Sequence, residues 1–210
     1  MQLIGMLDSP YVRRVAISLR LLEIPFEHRA VSVFKNFQQF QQINPVVKAP
    51  SLVCDDGEVL MDSTLILDYA EALAGRTLMP RGIAERQHAL RFIGLALAAC
   101  DKTVQIVYER NLRPADKQHQ PWIDRVRGQL LAAYSALEVE ARRTPLDAGS
   151  ETINQAGITS AVAWRFTQMM LPEIVVASEY RALQALSDQA EQLAEFAANP
   201  PTGPGVPRNP

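Results

Sequence analysis

Leu3-Ile4-Gly5-Met6-Leu7-Asp8-Ser9-Pro10-Tyr11-Val12-Arg13-Arg14-Val15-Ala16 opens the chain and decides how its first third folds. Residues 3–7 read as a short buried strand. Ser9-Pro10 then signals a helix, with serine at the cap and proline at the first helical position. Val12, Val15, Ala16, Leu19 and Leu22 follow at helical spacing. Pro25 breaks that helix, and Phe26 to Val33 reads as a second strand, parallel to the first because a helix joins them. A short helix is predicted over 37–43, with Phe37, Phe40 and Ile43 inward.

Pro50 to Cys54 and Glu58 to Met61, joined by Asp55-Asp56-Gly57, read as an antiparallel hairpin. Asp62-Ser63 caps another helix, with Leu65, Ile66, Tyr69, Ala70 and Leu73 on one face and Gly75 at its end. The order is β-α-β, a short helix, then β-β-α. Strand signals stop after Arg76 to Ile83, where Pro80 and Gly82 interrupt the pattern.

Beyond that boundary the period is helical. Leu90, Ile93, Leu97, Cys100, Val104 and Val107 mark one helix, Trp122 to Ala141 a second, and Tyr180 to Phe196 a last amphipathic one. Thr152 with Gln155 predicts a capping-box start for a nearly all-apolar helix, which belongs at the centre of a bundle. The chain thus reads as α/β plus all-α: a domain over 1–78, a helical domain over 84–198, and an irregular tail over 199–210 carrying five prolines.

The 210 residues are 48% hydrophobic and 21% charged, enough apolar surface for real cores. A net charge of −2 and a pI near 5.9 exclude a basic field for nucleic acid or anionic membrane. Residues 1–50 nevertheless hold six Lys or Arg against three acids, a balance that favours a small anion. Cys54 and Cys100 have neither disulfide-framework nor metal spacing, and His28, His88 and His119 lack zinc-site spacing, so no metal is expected. The start lacks the basic and apolar run of a signal peptide. The most apolar stretch, 153–171, carries Asn154, Gln155, Arg165 and Gln168, so a cytoplasmic protein without a membrane span is expected.

Three polar features fall where strands end, the usual ligand side of an open α/β sheet. Ser9 stands at the positive end of a helix, where a thiolate would be stabilised; taken alone it is what a plain helix cap looks like. In Asn44-Pro45-Val46-Val47-Lys48-Ala49-Pro50, a cis bond before Pro50 would turn the Ala49 backbone outward to pair with a peptide ligand, with Lys48 meeting a carboxylate. An ordinary trans proline at a strand start is the alternative. Asp62-Ser63 can take an amino-acid head group, Ser63 the carboxylate and Asp62 the ammonium, or serve as a routine cap.

In this order and spacing, Ser-Pro-x-x-Arg, Asn-Pro-x-x-Lys-x-Pro and Asp-Ser opening a helix resemble the bacterial cytosolic glutathione transferases, with serine at the active site. The resemblance implies a thioredoxin-like first domain, a helical second one, a homodimer, and glutathione as co-substrate without a metal. It implies that Ser9 meets the glutathione sulfur, Ala49 ahead of Pro50 pairs with the cysteinyl backbone, Asp62 and Ser63 hold the γ-glutamyl end, and Lys48 faces the glycyl carboxylate. An electrophile would lie against Leu7, Tyr11 and Tyr108, as in transferases of detoxification. The alternatives are a non-catalytic binding or regulatory protein on the same fold and a glutathione-dependent peroxidase or reductase.

The chain departs from the family pattern in places. Ser9 and Val12 stand where a Cys-x-x-Cys pair would fall, which speaks against disulfide exchange. The bundle motif Ser-x-x-Asp reads Thr152-Ile153-Asn154-Gln155. The glycine usual before Lys48 is Val47, which predicts a differently shaped loop.

Overall fold

The computed structural model describes residues 1–149 and 151–207. The expected tail residues 208–210 lie outside the described residues. Strands β1 (Gln2–Ile4), β2 (Glu27–Arg29), β3 (Ser51–Val53) and β4 (Val59–Met61) form one sheet in the order β2-β1-β3-β4. β1 and β2 are parallel, with Ile4 opposite Arg29; β1–β3 and β3–β4 are antiparallel, with Ile4 opposite Ser51 and Ser51 opposite Met61.

Helices α1 (Pro10–Leu21) and α3 (Ser63–Ala74) cover one face of the sheet and α2 (Phe37–Ile43) the other. Successive strand residues point to opposite faces. Leu3 therefore joins Val12, Val15, Leu19 and Ile66, while its neighbour Ile4 joins Val31 and Phe40. The strands are shorter than the apolar runs suggest, because ladder pairing stops where Gly5 and Pro50 turn the chain. Only Phe40 of the three inward residues expected in α2 is buried; Phe37 is about half exposed. In α3 the expected single face splits. Ile66, Leu67 and Ala70 enter the core, and Leu65, Tyr69 and Leu73 form an exposed stripe at i, i+4, i+8.

The second compact unit contains α4 (Ile83–Leu112), α5 (Gln120–Arg143), α6 (Gln155–Met170) and α7 (Arg181–Ala190). Residues 155–164 of α6 are all buried, against α4 and α7, as a helix without a polar face requires. Its start is two residues later than the capping-box reading. Asn154 is the N-cap and accepts from Ala156 and Gly157 N–H at 2.9 and 3.1 Å. Gln155 reaches forward to Thr159, and Thr152 Oγ1 donates to Gly149 O instead. Leu90 and Trp122, expected inward, are about half exposed.

The predicted last helix is broken at 191–193, leaving a short α8 (Ala194–Ala197). Residues Ala194–Gly205 belong to the first unit together with Met1–Leu78, not to the bundle. Phe196, read as a bundle residue, is fully buried there under the Arg13 guanidinium, 5.5 Å from its ring centroid.

Candidate functional site

β1 gives way to a loop at Gly5, whose N–H still donates to Arg29 O at 3.1 Å and whose carbonyl lies 2.8 Å from His28 Nε2. Gly5 has φ +140°, and a Cβ there would stand 2.6 Å from Val12 Cγ2 and 3.2 Å from Ala49 Cβ. Glycine thus lets α1 and the Ala49 loop close on this point from two sides. Ser9 N–H donates to Met6 O, closing the turn, and Ser9 O accepts from Arg13 N–H at 3.0 Å, opening α1. The Ser9 hydroxyl makes no capping bond to α1. Since Pro10 has no N–H, the first amide of this helix end is that of Tyr11.

The Lys48 loop is held from below. Buried Asn44 donates to Ser51 Oγ at 2.8 Å and accepts from Val46 N–H, and Ser51 Oγ donates to Lys48 O at 2.8 Å. The Ala49–Pro50 bond is cis. Val47 adopts φ +52°, the left-handed region glycine favours. Its side chain packs against the Ile4, Val31 and Phe40 cluster, offsetting a backbone cost of about 1–2 kcal/mol.

Asp62 carries another positive φ, +73°, at the N-cap of α3. One of its oxygens accepts from Thr64 N–H at 2.9 Å; the other lies 3.5 Å from Lys48 Nζ, both side chains being about half exposed. Ser63 is buried behind it, its Oγ accepting from the Arg14 guanidinium at 3.2 Å, with Thr64 Oγ1 at 3.3 Å from the same nitrogen. The Ser63 amide is the first of α3 and has no intrahelical acceptor. The three segments thus come together: a Cβ on Gly5 would meet Ala49 Cβ at 3.2 Å, Lys48 meets Asp62, and Arg14 of α1 reaches Ser63. Strained backbone of the Asp62 kind is concentrated at functional sites in proteins.

Tyr11 is half-buried in the first turn of α1, and Tyr108 lies on α4 of the helical unit, 38% exposed. Leu7, expected beside an electrophile, is instead buried in the core with Val12 and Leu52. The sequence reading assigns no role to Arg13, Arg14 or Asp8. Arg13 and Arg14 are both buried, and charged residues at inward positions of an apolar helix were the available signal. Arg13 Nε donates to Asn199 O at 2.8 Å. Asp8, half-buried, accepts from Gly205 N–H at 2.9 Å; burial pushes its carboxyl above the ordinary aspartate range, partly countered by that bond. No local pattern announces a partner almost two hundred residues away.

Among the described residues, no helix is long and apolar enough to cross a membrane, and no group of three His, Cys, Asp or Glu is placed to hold a metal ion. Cys54 and Cys100 are buried and form no disulfide.

A thioredoxin-like α/β unit followed in the chain by a helical unit defines the glutathione transferase class, and the comparisons agree. The family "Glutathione S-transferase, N-terminal domain" matches residues 3–78. YibF of Escherichia coli K12, an uncharacterized GST-like protein, is 30% identical over 78% of this chain and 80% of its own. A glutathione transferase family member from Pseudomonas fluorescens Pf-5, solved with bound glutathione, is 28% identical with a TM-score of 0.82, covering 96% of this chain and 99% of its own. The same relative with bound S-(propanoic acid)-glutathione gives 0.80 at 28% identity, over 97% and 98%. The chain belongs to the glutathione S-transferase family.

Proposed function

We propose that this protein binds glutathione and transfers its thiolate to a small electrophile. The observation that carries the reading is the Ser9 hydroxyl, which stands at the positive end of α1 and is not spent on capping it. Ser9 donates to the glutathione sulfur, and that bond together with the helix end favours the thiolate over the thiol. The Ala49 backbone pairs with the cysteinyl unit, and Lys48 takes the glycyl carboxylate. Asp62 receives the γ-glutamyl ammonium, while the Ser63 amide and hydroxyl take its carboxylate. Tyr11 contacts the electrophile. The sulfur forms a bond to carbon, the displaced electron pair leaves with a leaving group or opens a strained or unsaturated centre, and water returns the proton. No metal step is needed, because the co-substrate is the nucleophile and the protein supplies proximity and electrostatics.

Arg14 supports this role for Ser63. A hydroxyl whose lone pair already accepts from a guanidinium keeps its single proton for an outside acceptor, such as a carboxylate. The glutathione bound by the 28% identical Pseudomonas relative supports the ligand. The exposed Leu65, Tyr69 and Leu73 stripe supports a homodimer, and two buried cysteines that form no disulfide support a cytoplasmic setting.

Calorimetric titration with glutathione tests the reading. Saturable binding with a Kd below millimolar, weakened in Ser63→Ala, is expected. No binding at millimolar ligand would favour a partner-binding member of the family instead. A panel of aryl halide, epoxide and hydroperoxide substrates then separates conjugation from peroxidase activity.

A further inference from the structure

The end of the chain returns to the Ser9 loop. Arg13, four residues after Ser9, grips the tail at Asn199 O and lies over Phe196. Asn199 is itself buried and donates to Glu195 O at 2.7 Å, so this anchor is fixed from both sides. Asp8, the residue just before Ser9, holds the tail again six residues further on, accepting from Gly205 N–H. Between the anchors the tail passes so close that a Cβ on Gly203 would lie 2.1 Å from Asp8 Oδ2. Gly205 has φ +67°, a conformation in which other residues are strained. Pro200, Pro201 and Pro204 limit the freedom this segment loses when it is laid down.

We propose that Asn199–Gly205 is a positioning strap for Ser9, tied on both sides of it through Asp8 and Arg13. The inference rests on the sulfur-binding role proposed for Ser9. The Ser9 hydroxyl is not held by a capping bond to its own helix, so its placement depends on the loop and first helical turn that carry it. A positioned donor is worth more than a mobile one, because nothing must be ordered when charge forms on its partner. Asp8 serves the strap as a hydrogen-bond acceptor. Its amide isostere fills that role equally well.

The test measures the thiol pKa of bound glutathione from the ultraviolet absorbance of the thiolate, alongside the Kd for glutathione. Gly203→Val and Asp8→Ala are expected to raise the bound thiol pKa by about one unit, a roughly tenfold loss of thiolate at low pH, with Kd changed less than about threefold. Asp8→Asn is expected to behave as wild type. A chain ending at Ala198 should show the largest shift, and Gly203→Val keeps the test readable if that chain does not fold. Wild-type thiol pKa in Gly203→Val and Asp8→Ala, or loss in Asp8→Asn equal to that in Asp8→Ala, overturns the strap alone. Wild-type protein that leaves the thiol at its free value overturns the role of Ser9 and the strap together.

Discussion

Arg14 of α1 donates to the hydroxyl of Ser63, the first residue of α3, across 3.2 Å of buried space. A charge-assisted bond of this kind contributes about 1.5–3 kcal/mol, so Arg14→Met should weaken glutathione binding by roughly tenfold or more. Cysteinylglycine, which lacks the γ-glutamyl unit, should bind wild type and variant alike. Calorimetry with both ligands separates an effect through Ser63 from general loosening, which would weaken both.

Val47 holds a left-handed backbone where a glycine would be unstrained. Replacing alanine by glycine ordinarily costs about 0.5–1 kcal/mol, and at φ +52° that order should reverse. We expect Val47→Gly to exceed Val47→Ala in stability by about 1 kcal/mol in urea unfolding. Equal stabilities, or the ordinary order, would mean the loop relaxes in the variants.

Glu138, buried on α5, accepts from the N–H groups of Ala182 and Leu183 at the start of α7, at 3.0 and 3.1 Å. Glu138→Ala leaves both donors without that acceptor and should cost about 2–3 kcal/mol. Arg142 bonds the same carboxylate from a 60% exposed position, and Arg142→Ala should cost under about 1 kcal/mol. Denaturant midpoints of the two variants check the contrast.

Asp8 gives a pH dependence. Burial raises its folded-state carboxyl above the ordinary value of 3.8, so the folded chain holds that proton more tightly than the unfolded one. Its contribution to stability is fully present below the unfolded value and is lost as pH rises through the folded one. Asp8→Asn has no such loss. Its stability relative to wild type should therefore climb as pH rises from the ordinary aspartate range and then level off, which thermal melts across pH would show. A difference that falls with pH would contradict the assignment.

Much of the fold is legible because it rests on local periods and turn chemistry. Leu3 and Ile4 alternate between two cores, Asp62 and Gly75 bracket α3, and the unbroken apolar run of α6 marks the bundle centre. The capping-box pattern puts the start of α6 two residues too early, because Asn154, not Thr152, reaches the first amides of the helix. The residues named for the site stand at segment ends, where serine, proline and aspartate carry strong signals. Arg13 with Asn199 and Asp8 with Gly205 left none, since each pairing is made by tertiary packing between distant segments. The tail reads as irregular from its prolines, and it is irregular through Pro207; composition does not say what it is tied to.

The most direct measurement is the thiol pKa of glutathione bound to wild type and to Ser9→Ala, read from thiolate absorbance across pH. Free cysteine thiols titrate near about 8.5; wild type should hold the bound thiol at least about one unit below its free value, and Ser9→Ala should return it most of the way. A bound thiol at its free value in wild type, or an unchanged shift in Ser9→Ala, would contradict the central claim.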